Sequence, residues 1–222
     1  MIKSDVFEFL NEIESNNNRD WFNNNKNRYN KSLEQIKNFT SELFHLMNFH
    51  DKIENYKIFR IYRDIRFSKN KVPYKNNFGI SLVREKPRLR GGYYLHIKPS
   101  DSFSAVGFWQ PDKSDLFRIR KEIELDGKEF SDMISNKLMI KKWGNLIGDS
   151  LKTNPRGFSK DHEYVSILKK KSFLFKKAYT DKEVISKDFL SNLNGDFIVA
   201  RSFLDYMSNI LTTDLNGISL IK

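Results

Sequence analysis

The apolar residues of this chain repeat with two different periods, and the places where the period changes constrain the fold more than any motif does. Val6, Phe7, Phe9, Leu10 and Ile13 form a helical stripe behind Ser4, which suits an N-cap, and the run Asn16-Asn17-Asn18 ends it. A longer helix is expected from Asn18, with Asp20 in its first turn and Phe22, Tyr29, Leu33, Ile36, Thr40, Leu43 and Met47 at helical spacing. Between residues 78 and 109 the pattern becomes that of strands. Segments 78–84, 92–98 and 102–109 are short and rich in β-branched and aromatic residues, and Pro99-Ser100-Asp101 reads as a hairpin turn.

Helical spacing returns after Pro111-Asp112 at Leu116, Ile119 and Ile123, and again over 130–138. Residues 141–160 are punctuated by Gly144, Gly148, Pro155 and Gly157, and a short helix near 164–168 precedes a strand at 173–175. A last helix carries Leu190, Leu193, Phe197, Ala200, Leu204, Met207 and Leu211, with Gly195 lowering its local preference by about 1 kcal/mol. The expected fold is α+β, a mostly antiparallel central sheet flanked by N-terminal and C-terminal helices. With neither repeat nor linker in view, residues 1–222 read as a single domain.

Charge is distributed unevenly along this pattern. The chain carries a formal +11, and residues 57–98 hold 12 basic residues against two acidic ones, while the remainder holds 27 and 26. An excess confined to one stretch points to a local positive surface and an anionic partner. If 60–67 is a strand, Arg60, Tyr62, Asp64 and Arg66 share one face, and Phe59, Ile61, Ile65 and Phe67 share the other with Arg63 among them. Guanidinium forks suit bidentate capture of phosphate or carboxylate, and the loop around Pro73 brings Tyr74 and Lys75. Arg60, Arg63, Arg66, Tyr74 and Lys75 are therefore the candidate anion-binding residues. The competing reading, with about even weight, is a solvated ladder of ion pairs centred on Asp64.

Two further readings stay open. Arg84, Lys86, Arg88 and Arg90 form a second basic cluster, and Tyr62, Phe67, Tyr74, Tyr93, Tyr94 and Trp109 interleave with the charges, which fits a non-catalytic nucleic-acid-binding module. A scaffold meeting a protein partner through the same surface is the other. For catalysis the acid–base candidates are Asp64 and His96, with Asp161-His162-Glu163 as another point, and whether the chain is an enzyme stays open.

The absent patterns narrow the field. The chain has no cysteine, no Walker loop, no dinucleotide fingerprint, no paired-His zinc helix and no serine-hydrolase elbow. His45 and His50 stand five apart, off one helical face, so no metal site and no cofactor are expected. The start Met1-Ile2-Lys3-Ser4-Asp5-Val6-Phe7-Glu8 lacks the features of a secretory signal, and no apolar run is long enough to span a bilayer. The expectation is a soluble cytoplasmic protein with no membrane partner.

Three stretches carry a family resemblance: Asn18-Arg19-Asp20-Trp21-Phe22 with Tyr29; Phe59 through Lys69 with Pro73-Tyr74-Lys75; and Pro155-Arg156-Gly157-Phe158 with Asp161-His162. Gly92-Tyr93-Tyr94-Leu95-His96-Ile97 and Trp109 add to it. By these the chain resembles a family catalogued as a domain of unknown function, DUF 2461. The resemblance implies one α+β domain of about this length. It assigns no activity, substrate or catalytic residue.

Overall fold

The structure is a computed structural model that describes residues 1–67, 69 and 71–221. In chain order the described elements are α1 (Ser4–Ser15), α2 (Arg19–Asn24), α3 (Lys26–Met47), β1 (Ile53–Ile58), β2 (Phe78–Arg84), β3 (Gly92–Ile97), β4 (Ser102–Phe108), α4 (Lys113–Ile134), α5 (Lys137–Trp143), α6 (Val165–Leu168), β5 (Phe173–Tyr179), α7 (Asp181–Val184) and α8 (Phe189–Thr212). The strands form an antiparallel sheet in the order β1-β2-β3-β4-β5, so the fold is α+β with helices at both ends of the chain. Among the described residues no helix is long and apolar enough to cross a membrane.

The chain divides into two compact units, and β2 to β5 and α8 each contribute residues to both. The first comprises Met1–Leu82, Tyr94–Ser104 and Ala178–Gly195. Here α1 buries the stripe read from the sequence, Val6, Phe7, Phe9, Leu10 and Ile13. Each such side chain contributes about 1.5–3 kcal/mol when fully removed from water. The N-cap is Lys3 rather than Ser4, and no side chain caps this helix. At α2 the side chain of Asn18 accepts the Trp21 amide, as its position implied. The single long helix expected from Asn18 is interrupted at Asn25, where the backbone leaves helical geometry (φ −105, ψ 12) and the side-chain Nδ2 donates to the Trp21 carbonyl at 2.9 Å, closing α2 before α3 begins. Helix α3 packs on α1 and β1 and buries Tyr29, Ile36, Phe39, Thr40, Leu43 and Met47, while Leu33 is only half-buried.

The second unit comprises Val83–Tyr93, Ala105–Lys177 and Asp196–Lys222. Asp112 caps α4 by accepting the Asp115 amide at 2.8 Å. The sequence separated helices on either side of residues 124–129, and the backbone leaves helical geometry within that interval, at Asp126. The Asp126 carboxylate accepts the Glu129 amide at 3.0 Å, which starts the second half of α4 with a cap of its own. That half ends at Ile134, not residue 138, because Asn136 caps a new helix, α5, through the Leu138 and Met139 amides. In the same unit Arg84 is buried, ion-paired with Asp205 and bonded to the Ser208 hydroxyl at 3.1 Å.

Two glycines separate local from tertiary demands. Gly107, on β4, holds φ +126, and a Cβ there would stand 2.1 Å from the Phe173 carbonyl oxygen on β5. Gly195, inside α8, has nothing within 4 Å of the position its Cβ would take. In denaturant unfolding, Gly107→Ala is expected to destabilise by about 1–3 kcal/mol, and Gly195→Ala to stabilise by about 0.5–1 kcal/mol.

Candidate functional site

The basic run lies in the connection between β1 and β2, residues 59–77, within the first unit. Its outgoing limb is not the strand expected over 60–67. The Phe59 amide still donates to Gly79, and Tyr62 meets Tyr74 in an isolated antiparallel bridge framed by Arg63 N–H to Pro73 O and Lys75 N–H to Ile61 O, each at 2.8 Å. Beyond that, pairing stops for chemical reasons. Pro73 has no N–H to return a bond, and the Asp64 carboxylate takes the Arg66 amide at 3.2 Å, bending the chain. The two-faced sorting of residues 59–67 fails with the strand. Ile61 is fully buried as that sorting required, but Phe67 is 94% exposed.

What holds the limbs is aromatic packing and one amide. Tyr74 is 4% exposed and stacks on Phe22 of α2 with ring centroids 4.1 Å apart and planes 14° from parallel. Tyr62 meets the same Phe22 ring edge-on at 5.6 Å and lies 5.5 Å from Tyr74. Asn17, in the turn between α1 and α2, pairs with the Tyr74 backbone both ways. Its Nδ2 donates to the Tyr74 carbonyl and its Oδ1 accepts the Tyr74 amide, each at 3.0 Å. Asn17 thus does for Tyr74 what a neighbouring strand would do.

This support shapes an open hollow of about 490 Å³ lined by Arg60, Tyr62, Arg63, Asp64, Lys75 and Asn77. Of the five candidate anion-binding residues, Arg60, Arg63 and Lys75 come together on this lining. Arg66 and Tyr74 do not. Arg66 grips Asp64, its Nε and Nη2 donating at 3.0 and 2.7 Å, and Tyr74 serves as the anchor beneath. Arg60 and Arg63 have no ion-pair partner among the described residues. Asn77 joins the lining without having been singled out from sequence, where an isolated Asn carries no signal, and Asn17 was read only as part of a helix stop.

The electrostatics follow from this arrangement. Burial pushes the Lys75 ammonium below the usual lysine range, and the Arg63 and Arg60 charges push it the same way. Its Nζ lies 5.8 Å from the centre of the half-buried Phe59 ring. Hydrogen bonds from Arg66, with Arg60 nearby, hold the Asp64 carboxyl below the usual range. An acid so held is a poor base at neutral pH. The other acid–base candidate, His96, sits behind the lining. The Tyr94 hydroxyl stands 3.2 Å and Asn77 Nδ2 3.5 Å from its Nδ1, and the ring stacks on Phe103 at 4.8 Å. Tyr94 in turn occupies the space over Gly79, where a Cβ would meet its hydroxyl at 2.6 Å.

In the second unit, two members of the second basic cluster are neutralised: Arg84 by Asp205, and Arg90 by Asp115. His162 is likewise engaged, its Nδ1 accepting the Tyr164 amide at 3.1 Å and its Nε2 facing the Glu124 carbonyl at 3.3 Å, which uses both nitrogens of a neutral ring. Among the described residues no group of three His, Cys, Asp or Glu side chains is placed to hold a metal ion.

The sequence also aligns with a family described as conserved hypothetical protein (DUF2461), over residues 5–206. The chain belongs to DUF2461. The matched range contains α2 with Phe22, the whole basic connection and the Pro155 to His162 stretch. No curated protein and no solved structure matches the chain.

Lys75 offers a direct test of the electrostatics. A lysine whose folded pKa is depressed destabilises the fold while charged, and that penalty disappears as pH rises through the folded pKa toward the ordinary value near 10.5. Lys75→Gln is therefore expected to raise Tm at pH 7, and the gain should shrink as pH rises through the window below 10.5. A Tm that falls at pH 7 would contradict the assigned cause.

Proposed function

We propose that this protein binds a phosphate- or carboxylate-bearing ligand at the hollow formed by Arg60, Arg63 and Lys75. The observation that carries the reading is a charge imbalance within one concavity. Three cations share the lining with one acid, Asp64, and Arg66 already occupies that acid. Burial and then the two neighbouring guanidiniums oppose the charged state of Lys75, and a bound anion offsets the repulsion from the guanidiniums. The ladder alternative accounts for Asp64 and Arg66, which are exposed and contribute little. It leaves Arg60, Arg63 and Lys75 unaccounted for.

Nucleic-acid binding through two basic clusters is supported less, because Arg84 and Arg90 are already spent on carboxylates. An enzymatic version of the anion reading would rest on His96, reached from the lining through Asn77.

The test is calorimetric titration with pyrophosphate at low salt, beside thermal unfolding, because a ligand confined to the native state raises its stability. Arg63→Gln is expected to weaken binding about ten- to a hundredfold, as loss of a charged hydrogen-bonding partner implies. Asp64→Asn removes the lining's negative charge and is expected to tighten binding. If the wild type binds no pyrophosphate, or Arg63→Gln binds as well as wild type, the reading fails.

A further inference from the structure

The lining of the basic hollow is not all charge. Tyr62 belongs to it, and its side chain is 43% exposed although Phe22 and Tyr74 hold the ring from two directions. A ring held in this way keeps its orientation when a ligand arrives, so stacking on it loses little side-chain entropy. The backbone beneath is equally fixed, since Tyr62 is bridged to Tyr74 and Tyr74 is clamped by Asn17. The lining therefore presents one immobilised aromatic surface next to three cations, and because Arg66 already neutralises Asp64 the formal +3 of Arg60, Arg63 and Lys75 stands uncompensated among the described residues. That excess is enough to balance a phosphomonoester dianion. A volume of about 490 Å³ lies in the roughly 300–1,000 Å³ span of small-molecule sites.

We propose that the ligand class is a phosphomonoester carrying a planar aromatic ring, of the mononucleotide type, with the phosphate on Arg60, Arg63 and Lys75 and the ring stacked on Tyr62. The inference rests on the anion reading and adds the aromatic half to it. Planar rings of every base have a face to stack, so Tyr62 sets a class rather than one base. Asn77, with a donor and an acceptor on its amide, is an uncharged polar group on the lining and is suited to the sugar or the phosphate rim.

The experiment is a binding series on the intact chain at one low salt concentration, using AMP, ribose 5-phosphate, adenosine and a short single-stranded oligonucleotide with and without a 5′-phosphate. AMP is expected to bind about tenfold tighter than ribose 5-phosphate, within the range that base–aromatic stacking supplies. Adenosine should bind more weakly than either. Tyr62→Leu should weaken AMP more than it weakens ribose 5-phosphate, so that the preference for AMP disappears, whereas Tyr62→Phe should keep the preference. Thermal unfolding of each variant establishes that it is folded.

Equal affinity for AMP and ribose 5-phosphate, unaffected by Tyr62→Leu, overturns the aromatic half while the anion reading stands. Failure of every phosphorylated compound to bind overturns both. An oligonucleotide that binds tighter than AMP and equally well without its 5′-phosphate overturns the proposal in favour of a nucleic-acid groove. If Tyr62→Leu does not fold, fluorescence of a 2-aminopurine mononucleotide on the wild type, whose Tyr62 is an electron-rich quencher, replaces it. Quenching of the fluorescent base by the ring is then expected, and unquenched binding counts against stacking.

Discussion

Guanidinium groups on an irregular connection make a site only if the backbone beneath them is held, and between β1 and β2 the sheet gives that backbone only slight help. The stack of Tyr74 on Phe22, at 4.1 Å, supplies what the sheet does not, and the Asn17 amide closes the remaining backbone donor and acceptor. Everything on the lining is referred to that anchor. Arg63 and Lys75 are one residue either side of the Tyr62–Tyr74 bridge, and Tyr62 leans on the same Phe22 ring. The amphipathic helices α1, α2 and α3 thus shape the basic hollow by fixing where one phenylalanine and one asparagine stand.

Within the concentration of charge in residues 57–98, seven of the twelve basic residues fall into three physical situations. Arg84 and Arg90 lie within the second unit on carboxylate partners and serve its stability, since a buried guanidinium without its acid would be strongly unfavourable. Arg66 and Asp64 neutralise each other in water, and Lys71 Nζ donates to the Ile65 carbonyl at 2.9 Å. Arg60, Arg63 and Lys75 form the third group, with their charges directed into one concavity. A single number for net charge conceals this sorting, because only geometry shows which cations already have partners.

Much of the architecture is legible in the residues. The α1 stripe, the strands at 78–84 and near 92–98 and 102–109, the turn at Ser100 and the last helix all follow from periodicity, because apolar spacing and burial are the same fact seen twice. The misses have local causes. Residues 60–67 alternate well enough for a strand, but pairing also needs a partner with free donors, and Pro73 and the Asp64 side chain deny it. Asn25 splits the second helix by leaving helical dihedrals and turning its side-chain amide onto the Trp21 carbonyl, which apolar spacing does not register. At the site, the sequence separated Arg63 from Arg60 by assigning them to opposite faces, yet both line the hollow. Tyr74, read as a ligand contact, lies buried on Phe22 beneath the lining, and Asn17, 57 residues away in sequence, left no pattern to read.

The central claim is that the two limbs of the connection, residues 59–63 and 73–77, form a fixed framework held by Tyr74 and Asn17. Amide hydrogen exchange at Arg63 and Lys75 tests it most directly, because both amides are bonded only within that connection, to the Pro73 and Ile61 carbonyls. The account predicts protection at both amides in the wild type, lost in Asn17→Ala while the amides of β3 and β4 remain protected. Rapid exchange of Arg63 and Lys75 in the wild type, at the rate of an unstructured loop, would contradict it.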